Sequence, residues 1–218
     1  MNAPAPACPT DHPPLRLGEA APDFTARSTR GPISLSGFRG RWLLFFSHPA
    51  DFTPVCTSEF VAFAQAASRF EALGCALLGL SVDSLFSHLA WVRLIHDRFG
   101  VVVSFPVIED PTMEVARAYG MVARDATDAA AVRTSMILDP EGILRASLTY
   151  PAEIGRSIPE LLRTVQALQR VSAGGVLAPA DWEPGRPMLR TPPQDATEVL
   201  GGGPADWFYA SLEDPGPA

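Results

Sequence analysis

Between about residues 15 and 175 the chain alternates short apolar runs with longer segments of helical period. Trp42–Ser47 (WLLFFS) and Ala76–Val82 (ALLGLSV) are apolar without polar alternation, the pattern of strands covered on both faces. Ser104–Ile108 is a shorter run of the same kind. Thr134–Asp139 and Ile143–Tyr150 flank Pro140-Glu141-Gly142, a tight-turn sequence, and so predict an antiparallel hairpin. Helices are predicted over 55–72, 84–99, 111–119 and 158–172. In the last, Ile158, Leu161, Leu162, Val165, Leu168 and Val171 share one face. Ser157 and Glu160 have capping-box spacing, and Gly174-Gly175 follows the end. Asp110-Pro111 has the residue types of a helix cap and first helical position. Trp91, Leu94 and Ile95 are expected in the core. This order, closing with a hairpin and a helix, predicts an α/β fold: a mixed central sheet with helices on both faces.

Proline marks the ends. Of 22 prolines, five lie in residues 1–14 and eight after residue 178. Residues 1–14 are expected to be a flexible lead-in, 15–175 the folded domain, and 176–218 an extended arm. The arm carries Trp182, Trp207, Phe208 and Tyr209, so it is expected to pack on its own domain or on a partner subunit.

Composition narrows the chemistry. All 17 basic residues among the 218 are arginine, which excludes a Schiff-base lysine and a P-loop lysine. A net charge of -7 argues against nucleic acid as the partner. Three cysteines make no disulfide scaffold and leave one thiol unpaired, as expected of a cytoplasmic protein. The first residues show neither a basic nor an apolar signal region, and no apolar run is long enough to span a membrane.

The segment Ser47-His48-Pro49-Ala50-Asp51-Phe52-Thr53-Pro54-Val55-Cys56-Thr57-Ser58-Glu59 leaves a buried strand and opens a helix. Thr53 suits the N-cap and Pro54 the first helical position. Cys56 then lies in the first turn, where free N–H groups and the helix dipole favour a thiolate. It has no partner at the spacing of a dithiol redox pair. A cysteine hydrolase would need a base such as His48 and a group to orient it, and no such group is identifiable. Attack on a peroxide needs less: a thiolate, a cation and donors in a water-poor pocket.

Pro49-x-x-x-Thr53-x-x-Cys56 resembles the signature of the peroxiredoxins, and SHPADFTPVCTSE is similar to their one-cysteine, peroxiredoxin-6-like branch. SVDSLFSHLAW (81–91), FPVIED (105–110), Arg133, YPAEIGRSIPELLRTVQALQ (150–169) and PADWEPG (179–185) extend the resemblance over about residues 15–190. It implies a thioredoxin-like fold with a C-terminal arm reaching over a partner subunit in a homodimer or higher homo-oligomer. It also implies Cys56 as the peroxidatic cysteine, with Thr53 hydrogen-bonding the peroxide or the thiolate and Pro49 shielding the pocket. Arg133 would stabilise the thiolate and the transition-state oxygens; His48 and Glu59 would belong to the polar shell, and Arg156 would be a second pocket arginine. The implied activity is reduction of hydrogen peroxide and organic hydroperoxides. An external thiol, from a glutathione, glutaredoxin or thioredoxin system, would recycle the sulfenic acid. No cofactor and no metal are implied.

Some animal members of that branch carry a phospholipase serine where this chain has Arg41, in Gly40-Arg41-Trp42, which leaves an esterase reading unsupported. The arm has no cysteine, against a two-cysteine cycle between subunits. Cys75 is expected to be a packed core residue, and Cys8 a passive member of the lead-in. The rival from another class is a peroxide sensor or holdase whose cysteine oxidation changes assembly.

Overall fold

A computed structural model of the chain describes residues 15–122, 132–201 and 206–214. The expected lead-in, Cys8 included, lies outside the described residues. The chain divides into two compact units, Met1–Arg156 and Ser157–Ala218.

The first unit is built on a seven-stranded mixed sheet. Its strands are β1 (Thr25–Ser28), β2 (Gly31–Ser34), β3 (Trp42–Ser47), β4 (Cys75–Ser81), β5 (Val107–Glu109), β6 (Arg133–Leu138) and β7 (Leu144–Tyr150). They lie in the order β2-β1-β5-β4-β3-β6-β7. β3, β4 and β5 are mutually parallel, and the other pairings are antiparallel. Every residue of β3 and β6 is buried, as the unbroken apolar run of β3 requires; in β6 the buried residues include Arg133, Thr134 and Ser135. Leu43 and Phe45 of β3 enter one cluster with Leu78, Leu80, Ile108, Tyr119, Met136 and Leu138. Phe46 faces the other way and stacks on Phe63 at 4.3 Å, with Phe60 and Phe105 edge-on to it. Phe60 and Phe63 come from helix α1 (Pro54–Ala72), so that helix covers the second face. Full burial of each such ring stabilises by about 1.5–3 kcal/mol.

Helix α2 (Leu85–Phe99) is capped by the Ser84 side chain, which accepts from Ser87 N–H, and ends at Gly100 in the left-handed region. It buries Trp91 and Ile95 but leaves Leu94 half-exposed, against expectation. Helix α3 is only Glu114–Ala118. Its N-cap residue is Met113, not Asp110 as expected, although the Asp110 carboxylate accepts from Val115 N–H and Ala116 N–H at 3.4 and 2.7 Å. Pro111 nevertheless lies in a preceding turn, because Met113 turns the backbone left-handed at φ 59. β5 starts later than its apolar run because Pro106 has no N–H to give a ladder. β2 at the sheet edge and β1 beside it are short and polar, without an apolar run, which is why the pattern did not predict them.

The second unit holds helix α4 (Ile158–Ser172), bounded as predicted and capped by Ser157, which accepts from Glu160 N–H. A small sheet follows, β8 (Val176–Leu177), β9 (Met188–Arg190) and β10 (Ser211–Leu212), with the short helix α5 (Ala196–Leu200) between its last two strands. Of the arm's aromatics, Trp182 is buried, its indole N–H donating to the Arg186 carbonyl, whereas Phe208 and Tyr209 are exposed.

The predicted hairpin is β6–β7, and its turn needs glycine. Gly142 has φ 72, and a Cβ there would lie 1.8 Å from Arg39 Nη1. Gly142→Ala is expected to cost about 1–2 kcal/mol, measured as a lower urea midpoint at unchanged m value.

Candidate active site

The site begins where β3 ends. Parallel pairing of β3 with β4 brings Ser47 beside Leu80, and His48 N–H donates to the Leu80 carbonyl at 3.0 Å. The chain then loops to α1. Asp51 N–H donates to Asp83 Oδ2 at 2.9 Å, and the same oxygen accepts from Ser81 Oγ at 2.8 Å. Phe52 takes φ 58, a strained value for a bulky residue. Thr53 is the N-cap residue and Pro54 opens the helix, as predicted. The Thr53 hydroxyl is used differently, however. It donates to the Ala50 carbonyl at 2.9 Å and takes no first-turn N–H.

Cys56 is wholly buried in the first turn. Arg133, the first residue of β6, places Nη1 3.4 Å from Cys56 Sγ and 2.7 Å from Glu59 Oε2. Its Nε and Nη2 donate to the Ala152 carbonyl at 2.9 and 2.7 Å, which locks the guanidinium plane. Glu59 lies three residues after Cys56, on the same helix face. It also receives Arg156: backbone N–H and Nε on Oε1 at 2.8 and 2.9 Å, and Nη2 on Oε2 at 2.7 Å. Arg156 Nη1 reaches the Ser47 and Thr134 carbonyls and Ser135 Oγ at 3.0–3.3 Å, and its guanidinium lies 5.0 Å from the Phe46 ring centroid.

Four of the predicted residues thus meet in one buried cluster: Cys56, Glu59, Arg133 and Arg156. Burial pushes the Glu59 carboxyl up, but Arg156 and then Arg133 outweigh it and hold it below its ordinary value. One carboxylate against two guanidiniums leaves a single positive charge before Cys56 is counted, and Arg133 presents that charge to the sulfur.

His48 is brought to a different cluster. Its Nε2 lies 2.9 Å from Asp51 Oδ1, while His88 Nδ1 lies 2.8 Å from Asp51 Oδ2. All three side chains are buried, and the His48 ring packs against Phe60 and Trp91 at 4.8 and 5.2 Å. Its Nδ1 has no hydrogen-bond partner among the described residues. Burial lowers the His48 pKa. Burial would raise Asp51, but the hydrogen bonds from His48 and His88 bring it down to about 2. The donor atoms of this trio lie within 4.8 Å of one another, a spacing that also suits a metal ion, yet hydrogen bonds within the trio already engage them. Sequence reasoning missed Asp51 and His88; the available signal was the Asp51 carboxylate three residues after His48. Pro49 and Thr53 are half-buried in the loop between the clusters. Cys75 is packed at the start of β4, and burial pushes its thiol up to about 12.

Comparison with known proteins identifies the family. Residues 17–147 match the AhpC/TSA family, and residues 167–202 match the C-terminal domain of 1-Cys peroxiredoxin. Peroxiredoxin 2 of Caldanaerobacter subterraneus subsp. tengcongensis is 51% identical over 184 residues, 84% of this chain and 83% of that protein. A crystal structure of a cysteine-to-serine variant of peroxiredoxin 6 from Arenicola marina superposes with a TM-score of 0.78 at 35% identity, covering 86% of this chain and 88% of that one. The yeast mitochondrial 1-Cys peroxiredoxin, solved in work on thiol resolution through the glutathione/thioredoxin systems, gives 0.78 at 36% identity, covering 85% and 92%. The fold is therefore thioredoxin-like, and the class is that of thiol-dependent peroxidases. Within that class the chain belongs to the AhpC/TSA family: it is a peroxiredoxin carrying the C-terminal domain of the 1-Cys type. Among the described residues no helix is long and apolar enough to cross a membrane.

The depressed carboxyls predict acid sensitivity. A group held below its unfolded pKa contributes stability that is full above the unfolded value and is lost as pH falls through the folded value. For Asp51, lowered from 3.8 to about 2, that is on the order of 2 kcal/mol. Urea midpoints measured at a series of pH values are expected to fall from about pH 4 towards pH 2, and to fall less steeply in Asp51→Asn.

Proposed function

We propose that Cys56 is the peroxidatic nucleophile and that an external thiol returns it to the reduced state. The observation that carries this reading is the Arg133 Nη1 bridge between Cys56 Sγ and Glu59, within a cluster that an anionic sulfur brings to neutrality. The sulfur attacks the terminal oxygen of hydrogen peroxide or a small organic hydroperoxide. The S–O bond forms as the O–O bond breaks, the leaving oxygen takes a proton and departs as water or alcohol, and Cys56 is left as a sulfenic acid. Arg133 and the first-turn N–H groups stabilise the charge that moves between the oxygens. Thr53 orients the peroxide, and Pro49 excludes water from the loop. Glu59 and Arg156 position Arg133, and His48 supplies polarity from the loop's other side. None of these roles requires a metal or an organic cofactor.

Recycling proceeds by attack of an outside thiol on the sulfenic sulfur, releasing water and forming a mixed disulfide, which a second thiol then opens. Two features support an outside thiol. Cys75 is packed in the core with its thiol held protonated, and the arm contains no cysteine. The yeast relative's glutathione/thioredoxin resolution makes those systems the first reductants to try. Exposed Leu200, Phe208 and Tyr209 in the C-terminal unit support the reading of 176–218 as an arm that engages a second copy in a homodimer.

Cys56→Ser is expected to abolish peroxide consumption in the presence of thiol; undiminished turnover would sink the assignment. Arg133→Gln is expected to slow Cys56 oxidation by about 10²–10³, followed by stopped-flow mixing with hydrogen peroxide. Fast oxidation with no sustained turnover by any thiol in a reductant panel would favour a sensor over an enzyme.

A further inference from the structure

The trio behind the Cys56 loop has a protonation pattern that hydrogen-bond chemistry decides. His88 lies on α2, outside the cluster of Cys56, Glu59, Arg133 and Arg156, and it is wholly buried. Its Nδ1 is 2.8 Å from Asp51 Oδ2, and its Nε2 is 3.2 Å from the Ile108 carbonyl oxygen. An ionised carboxylate and a backbone carbonyl both only accept. A neutral imidazole has one N–H, so it would turn a lone pair towards one of those two oxygens. Only the imidazolium, with two N–H groups, satisfies both. The groups around it fit a cation: Asp51 from the loop, the Ile108 carbonyl and the Glu109 carboxylate from β5, and His48 from the end of β3.

The consequence passes through Asp51. Its Oδ2 is held by His88, so Oδ1 is left to accept from His48, whose Nε2 must then carry the proton. Burial disfavours a second charged ring at His48. Its Nδ1 is therefore bare: a buried acceptor with no protein donor among the described residues. Such an atom is costly unless a donor arrives, and the O–H of a hydroperoxide is the donor that this reaction brings.

We propose that His88 is a positioning residue for the peroxidase: a buried imidazolium that clamps Asp51, which in turn fixes His48 as the Nε2–H tautomer with Nδ1 open to an O–H donor. This rests on the reading of Cys56 as the peroxidatic residue, and the test separates the two. The first measurement needs no turnover. The four histidines of the full chain are resolved by long-range ¹⁵N–¹H spectra of the reduced protein between about pH 6 and 8. His88 is expected to show two protonated ring nitrogens, and His48 one protonated Nε2 and one bare Nδ1. A neutral His88, or His48 protonated at Nδ1, overturns the proposal whatever Cys56→Ser shows. The second measurement uses His88→Gln, which keeps a donor and removes the charge. The expected outcome is a mixture of His48 tautomers together with a loss of on the order of 10- to 100-fold in the rate of Cys56 oxidation. An unchanged His48 tautomer at an unchanged rate overturns the proposal. Should His88→Gln fail to fold, the wild-type spectra decide alone.

Discussion

Glu59 holds two buried guanidinium groups. That single carboxylate accepts from Arg133 and from three donors of Arg156, and each of the three side chains is almost wholly buried. Taking such charges out of water costs several kcal/mol per ion, and the attraction between them offsets that cost only with complete, well-directed hydrogen bonding. The fold supplies it by spending backbone carbonyls as well as Glu59. Ala152 takes two donors of Arg133, and Ser47 and Thr134 take Nη1 of Arg156. The arrangement fixes α1 to the ends of β3 and β6 and to the segment after β7. It also leaves one donor of Arg133 on Cys56, so the electrostatics at the Cys56 sulfur and the packing of the sheet ends share one constraint.

Much of this was legible in the chain. The apolar run of β3, the β6–β7 hairpin and helix α4 are strong local signals, and each stands within a residue or two of its predicted bounds. The strand-to-helix junction around Cys56 was legible because Thr53 and Pro54 have residue types that few other positions favour. The shared use of Glu59 was not legible. It depends on Arg133 and Arg156, which are 74 and 97 residues away in sequence. Arginine at such positions carries no local mark of the pairing it will make. The Asp51–His88 contact was hidden for the same reason, since 37 residues and a whole β-α unit separate the two. The short strands β1 and β2 escaped because their side chains face solvent in part and show no apolar period.

The two buried clusters divide the work of placing one loop. Arg133, Glu59 and Arg156 hold it from the side of β6 and β7. Asp51 and His88 hold it from the side of β4, β5 and α2, with Asp83 fixing the Asp51 N–H. Between them the backbone passes through Phe52 at a positive φ, a local cost that the contacts on both sides sustain. A loop held at both ends this way has little freedom to re-aim its sulfur. That suits a reaction in which attack must lie in line with the O–O bond.

The Thr53 hydroxyl gives its proton to Ala50 and leaves the first turn of α1 without a side-chain cap, although a threonine at that position ordinarily supplies one. Such a cap is worth about 1 kcal/mol. The helix therefore starts less stable than its sequence allows, and the donors that a cap would occupy stay available to whatever anion stands at the turn. Its first turn and its sulfur are thermodynamically linked: any lasting negative charge on Cys56, such as a sulfinate formed under excess oxidant, would act on this helix as a capping group does. Under the role proposed for Cys56, over-oxidation would disable the catalyst while strengthening the fold, so a spent molecule would persist rather than unfold.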